Sequence, residues 1–231
     1  MQYSTRQITV YLLAMLAITS SLLIGCGKMP GPDKKKARAS RSVKPFTQEV
    51  AADAFASVDE AIQKLIELAE AGQIKQQDRA ASWLSKQGEA VIPPLSMILS
   101  DESRSEKARI AACQVLAEIG PAARAVLLKT TDSPTKMVRI SATVRLGRIQ
   151  PADQLTIDRL ISLLKHADKT TCRAAAVSLG SIGNLADSAT ESLTTIYLDQ
   201  QADELLRNAA FSSLKKIHPR RDFTDLLDGS N

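Results

Sequence analysis

The chain is poor in the residues that make up most catalytic and metal sites. Its 231 residues include three cysteines and two histidines, and aromatic residues account for 3%. Neither His166 nor His218 has a second histidine or a cysteine at the spacing of metal ligands, so we expect no metal site and no catalytic histidine. The segment Gly180–Gly183 is expected to end a helix and is neither a nucleophile elbow nor a phosphate-binding loop. These absences predict a protein that is not an enzyme and that holds no cofactor.

Glycine is scarce too, with 10 residues, whereas alanine and leucine are abundant. This composition suits helices that pack closely through small residues, and it disfavours a β-sandwich. Five leucines follow one another at spacings of 32, 30, 33 and 35 residues, each with an alanine four positions earlier. A period of this length is typical of stacked helical hairpins, each of which needs its neighbours to bury its apolar stripe. The leucines are Leu84, Leu116, Leu146, Leu179 and Leu214, and the alanines are Ala80, Ala112, Ala142, Ala175 and Ala210.

The repeat predicts an all-α fold, a right-handed α-solenoid of about five helical hairpins. Cys113 and Cys172 fall on second helices two repeats apart, which is too far for a disulfide. We therefore interpret both cysteines as small buried hydrophobic residues. The alternative is a thiol held for a chromophore or a partner. Helix starts are expected at five capping residues, which are Ser57, Ser103, Ser133 (followed by Pro134), Asp168 and Ser188.

The third copy of the pattern resembles a known repeat. Its Val138-Arg139, Ala142, Leu146-Gly147 and Ile149 are similar to the HEAT repeat, in the short variety first noted among bilin lyases, and the similarity extends over about residues 58–218. The resemblance implies that the second helix of each hairpin lines a concave face. It also implies an arginine in each second helix that forms hydrogen bonds to the next repeat. That arginine is present as Arg109, Arg139 and Arg207, and is replaced by Gln77 and Cys172 in the other two copies.

One patch on the concave face is a candidate binding site. Two positions before each reference leucine, the side chain should point outward, and the third and fourth copies place Val144 and Val177 there. Arg145 and Arg148 flank the first of these valines. We hypothesise that Val144, Arg145, Arg148 and Val177 dock a loop or peptide of a protein partner. The alternative is an ordinary mixed surface, since single exposed valines are common.

Residues 1–25 have the pattern of a secretory signal peptide. Arg6 supplies a positive start, and an apolar run follows over Ile8–Ile24. The sequence Leu23–Cys26 (LIGC) resembles the lipobox of bacterial lipoproteins, which implies cleavage before Cys26 and lipidation of that cysteine. The alternative is an uncleaved anchor helix, because the 17 residues of the run are at the lower limit for spanning a bilayer.

Both alternatives place the rest of the chain outside the cytoplasm, in the cell envelope on the periplasmic side. The lipoprotein resemblance implies that Gly27 favours the outer membrane, because some bacteria use an aspartate at this position for inner-membrane retention. Residues 26–50 are expected to form a disordered, basic tether that either contacts anionic headgroups or serves as a plain spacer. Residues 51–218 are the predicted HEAT-like domain, and residues 219–231 a polar tail.

The function predicted from these features is a non-enzymatic, lipid-anchored scaffold or adaptor that binds a protein or peptide partner. Two rivals remain. The first is an enzyme or enzyme subunit of the bilin-lyase type, which export and the shortage of aromatic residues disfavour. The second is a helical-repeat nucleic-acid binder. Residues 26–44 carry a net charge of +6 and residues 45–231 one of −2, so a basic face on the folded body is not expected.

Overall fold

A computed structural model describes residues 55–223, and every regular element in this part of the chain is helical. Ten α-helices follow one another there as five hairpins, which confirms the predicted all-α solenoid. The signal peptide, Cys26, the basic segment and residues 224–231 lie outside the described residues. The helices are α1 (Val58–Glu70), α2 (Ile74–Ser85), α3 (Ile92–Ser100), α4 (Glu106–Ile119), α5 (Arg124–Thr130), α6 (Lys136–Leu146), α7 (Gln154–Leu163), α8 (Lys169–Ile182), α9 (Thr190–Leu198) and α10 (Glu204–Ile217).

The even-numbered helices form a continuous row in which each packs against the next. All five reference leucines and all five alanines are 0% exposed. An alanine one turn before each leucine lets the neighbouring helix approach closely, and the leucine then fills the space between hairpins. The repeated pattern in the sequence is therefore the contact surface of this row.

The buried apolar residues form two clusters that are separated between the third and fourth hairpins. The first cluster ends at Ile149 and the second begins at Ile157. Small and polar groups join the hairpins there. The buried Ser178 hydroxyl donates to the carbonyl oxygens of Ala174 at 2.8 Å and Thr143 at 3.0 Å, so α6 and α8 are joined by a hydrogen bond in addition to apolar packing.

The residues that cap the helices agree only in part with the caps predicted from the sequence. Ser57 and Asp168 cap α1 and α8, each accepting a hydrogen bond from a backbone N–H three residues later. The prediction of a cap at Ser103 is wrong, because Ser103 bonds to Asp101 and Ser105 caps α4 instead. The prediction at Ser133 is wrong too, because α6 begins at Lys136 after Thr135, without a side-chain cap. The prediction at Ser188 is also wrong. The residues before α9 form a 3₁₀ helix, Gly183–Ala189, so α9 begins without a side-chain cap.

Aromatic residues cover both ends of the described solenoid. Phe55 meets Trp83 edge to face, with ring centroids 5.2 Å apart. At the other end Phe223 is 1% exposed, and the guanidinium of Arg221 lies 4.8 Å from the centroid of its ring. These aromatic rings replace the neighbour that a terminal hairpin lacks.

No helix between residues 55 and 223 is long and apolar enough to cross a membrane.

Candidate partner-binding surface

The four residues of the predicted patch lie at the end of α6, in the turn after it and on α8. Val177 is 41% exposed, and Arg148 is exposed as well. Val144 and Arg145 are only half-buried, so each presents part of its side chain. Arg148 forms no side-chain hydrogen bond or ion pair with any residue that the structure describes. The structure thus provides two accessible apolar side chains and one unengaged cation on adjacent hairpins.

Arg145 differs from Arg148 because it is held within the seam between α4 and α6. Its Nε donates to the Ser141 hydroxyl at 3.3 Å. Burial lowers the pKa of the Arg145 guanidinium, and the charge of Arg148 lowers it further, whereas Cys113, Glu118 and Asp78 act in the opposite direction. Because an arginine guanidinium stays protonated in proteins, Arg145 still contributes positive charge to the surface, while Arg148 is the cation free to pair with a partner.

At the first two hairpins, the same row of even-numbered helices presents amide and acidic side chains. Gln114 on α4 donates through Nε2 to Asp78 at 2.9 Å and to Glu118 at 3.1 Å, and its Oε1 accepts from Gln77 at 3.1 Å. Gln77 stands where later copies have arginine, and it still bonds to the next repeat. The surface is thus acidic and amide-rich at hairpins one and two, and basic and apolar at hairpins three and four.

A second set of polar interactions joins the hairpins through the fourth residue of the even-numbered helices. Arg139 donates from Nη1 to the Ser133 carbonyl oxygen at 2.7 Å and from Nε to the Thr171 hydroxyl at 3.2 Å. Its Nη2 lies 3.9 Å from the Asp168 carboxylate, which also pairs with Lys136 at 2.8 Å. The hydrogen bond from Lys136 and that from Thr171 hold the pKa of Asp168 well below its usual range, although burial opposes them. This arginine bridges two repeats, as the resemblance implied.

The two cysteines that the structure describes are buried, and both histidines form hydrogen bonds within the fold. Cys113 is 0% exposed and burial raises its pKa to about 12, and burial also raises the pKa of Cys172. Neither thiol is therefore activated as a nucleophile. His166 accepts a hydrogen bond from the Asp168 backbone N–H, and His218 bonds to Thr190. Within residues 55–223 no cluster of histidine, cysteine and acidic side chains is arranged to hold a metal ion.

Comparison with known proteins bears on this architecture. Residues 125–215 match the family model of HEAT repeats. The match spans the third to fifth hairpins. The solved complex of CpcE and CpcF of phycocyanin lyase, from Nostoc sp. PCC7120, is similar in structure, with a TM-score of 0.52 and 21% sequence identity. The similarity covers 66% of this chain and 97% of that chain. No curated protein sequence matches the chain.

These findings confirm the repeat resemblance and correct one prediction. The expectation that the protein is not an enzyme is contradicted, because the similar solved structure belongs to a lyase. The absence of a catalytic motif from a single chain is a weak argument when the architecture occurs within an enzyme assembled from two proteins. At 21% identity the likeness itself establishes the fold.

Proposed function

We propose that the chain is a helical-repeat scaffold, lipid-anchored in the cell envelope, that binds a protein partner along its row of even-numbered helices. The observation that carries the proposal is the combination, on adjacent hairpins, of half-exposed Val177 with the unengaged guanidinium of Arg148. Interface hot spots are enriched in arginine, so Arg148 is the proposed anchor and Val177 supplies apolar packing beside it. The similar solved structure is itself a complex of two proteins, which supports the same conclusion.

The charges and apolar groups of the surface indicate which side chains a partner segment needs. A loop with one acidic and one apolar side chain pairs its carboxylate with Arg148 and packs its apolar group against Val144 and Val177. The acidic groups Asp78 and Glu118, farther along the row, repel additional negative charge on that segment. The partner is therefore a peptide or loop with a single acidic residue, and an extended acidic run is disfavoured.

The test is partner crosslinking in intact cells followed by mass spectrometry. The double variant Arg148→Glu with Val177→Asp removes the arginine and its apolar neighbour. The control Thr195→Asp adds a negative charge at an exposed position of α9, which is outside the row of even-numbered helices. Loss of an interface hot spot costs about 2 kcal/mol or more, roughly a thirtyfold loss of affinity. We expect the double variant to lose the crosslinked partner while the control keeps it. An unchanged crosslinking pattern in a double variant of normal helix content would reject this surface.

The anchor rests on the sequence Leu23–Cys26, which lies outside the described residues. Lipidation of Cys26, followed by removal of residues 1–25, would hold the repeats at the membrane surface, with the basic segment beside the anchor. Mass spectrometry of the mature N-terminus measures this directly. A diacylglycerol-modified Cys26 supports the proposal, and an intact Met1 supports an uncleaved anchor helix. A Cys26→Ser variant should then lose the modification and keep residues 1–25, which the same mass measurement detects.

The second candidate function is a subunit of an enzyme related to the bilin lyases. The structural likeness to the CpcE–CpcF complex favours it. Mixing the protein with a bilin and recording the visible spectrum separates the two candidates. A shifted or intensified absorbance band supports the lyase-type subunit, whereas an unchanged spectrum removes it.

A further inference from the structure

A cleft between the second and third hairpins contains a buried cation without a counterion. The cleft has a volume of about 360 Å³, within the range of small-ligand sites. Arg109 on α4 lines it and is only 5% exposed. Its guanidinium uses one of five N–H donors, from Nη2 to the Thr135 hydroxyl at 2.9 Å. The Nε of Arg109 is buried and has no hydrogen-bond partner among residues 55–223.

The next hairpin provides an internal comparison, because Arg109 and Arg139 are each the fourth residue of their helix. Arg139 faces Asp168, the residue immediately before α8, and has three further oxygen acceptors in Ser133, Pro134 and Thr171. Arg109 faces Thr135, the residue immediately before α6, which is neutral. At the same structural position the chain therefore supplies a carboxylate to one arginine and withholds it from the other.

The other charges around the cleft do not compensate Arg109. Lys129 adds a second cation and forms no ion pair with a described residue. Asp132 pairs with Arg159, and Glu102 is exposed and lies beyond ion-pair distance of both cations. The Ser133 hydroxyl lines the same cleft and is free to donate to a ligand. A buried cation that is left unpaired is destabilising, so the site favours an anion supplied from outside.

We propose that this cleft binds a carboxylate presented by an acidic side chain of a protein partner, with Arg109 as the main ligand and Lys129 and Ser133 as supporting groups. A carboxylate fits because the chain itself places one beside Arg139 in the next repeat. A planar guanidinium with free Nε and Nη donors matches the two oxygens of a carboxylate. The site is separate from the surface of Val144, Arg148 and Val177 and does not depend on it.

The test uses the full-length protein and two short peptides, acetyl-Gly-Glu-Gly-amide and its neutral match acetyl-Gly-Gln-Gly-amide. Binding is followed by NMR through the Arg109 Nε–Hε resonance, with inorganic phosphate as a third titrant. The key variant is Thr135→Asp, which gives Arg109 the internal acid that Arg139 already has. The control variant is Ser212→Asp, which adds the same charge elsewhere.

We expect a saturable shift with the glutamate peptide, no shift with the glutamine peptide, and an affinity lowered at least about tenfold in Thr135→Asp. The control variant should bind like the native chain. The proposal is overturned if phosphate shifts the resonance and the glutamate peptide does not, if neither does, or if Thr135→Asp binds normally. Because Arg148 and Val177 stay unchanged, failure here leaves the concave-surface proposal to its own test.

Discussion

Replacing Gly180 by alanine tests how closely the even-numbered helices approach one another. Gly180 lies inside α8, where an added Cβ would be 2.6 Å from the Ser213 hydroxyl, 2.8 Å from its Cβ and 2.9 Å from its Cα. Real Cβ atoms do not approach other atoms this closely, and a rotamer change cannot relieve the clash with the Ser213 backbone. The Ser213 hydroxyl is also held by a 2.8 Å hydrogen bond to the Ala176 carbonyl oxygen, so its displacement leaves a buried polar group unpaired.

Two opposing contributions set the size of the effect. Alanine is favoured over glycine inside a helix by about 1 kcal/mol. Overpacking a well-filled interior costs about 1–3 kcal/mol, and the clash with backbone atoms places Gly180→Ala at the upper end. We therefore expect a net loss of about 1–2 kcal/mol in the free energy of unfolding. For a chain of this size the loss corresponds to a fall of roughly 2–8 °C in Tm.

The assay is thermal and urea unfolding followed by circular dichroism at the helix band. Ser212→Ala, at an exposed position of the neighbouring α10, is the matched control and should change stability by less than about 0.5 kcal/mol. Adding Ser213→Gly to Gly180→Ala removes the two closest clashing atoms, so the double variant should lose less than the sum of the single losses. A Gly180→Ala protein as stable as the native chain would refute the close approach of α8 and α10.

Two further predictions concern titratable groups. The depressed pKa of Asp168 stabilises the fold fully above the unfolded value of about 3.9, and this contribution disappears as pH falls from about 5 to 2. Asp168→Asn keeps a capping group but loses the charge, so at pH 7 the variant should be less stable by roughly 0.5–1 kcal/mol. Its free energy of unfolding, measured with urea, should also fall less steeply below pH 5 than that of the native chain. An equally steep fall in both proteins would contradict the assignment. Because Cys113 and Cys172 are buried with raised pKa values, a Cys26→Ser chain should react with a thiol reagent at pH 8 only after unfolding, and rapid labelling of the folded protein would exclude their structural role.

The helical architecture could be predicted from the sequence because stacking imposes a period on it. Leu116, Leu146 and Leu179 must all face the neighbouring hairpin, and each needs a small residue one turn earlier. Such constraints recur every 30 to 35 residues and are local, so the sequence alone determines five hairpins and the buried face of each second helix. The outward positions of Val144 and Val177 followed from the same periodicity.

Helix starts were less predictable, because several polar residues compete for the same turn. Ser103 and Ser105 both precede α4, and only the turn geometry assigns Ser103 to Asp101 and Ser105 to the cap. The residues before α9 likewise form a 3₁₀ segment that begins at Gly183, which has a φ of 74°. The prediction that the protein is not an enzyme failed for a different reason, since it relied on motifs absent from one chain.

The sequence by itself determined the fold, the buried stripe and the set of repeat arginines, because each depends on spacing along one helix. Only the tertiary structure decided which arginine has its charge compensated. Arg109 and Arg139 occupy equivalent positions, and their difference depends on whether the residue before the next helix, Thr135 or Asp168, offers a carboxylate across the gap between hairpins. The two residues of each pair are 26 and 29 positions apart in the sequence. The electrostatic environment of a buried charge depends on which residues are close to it in space.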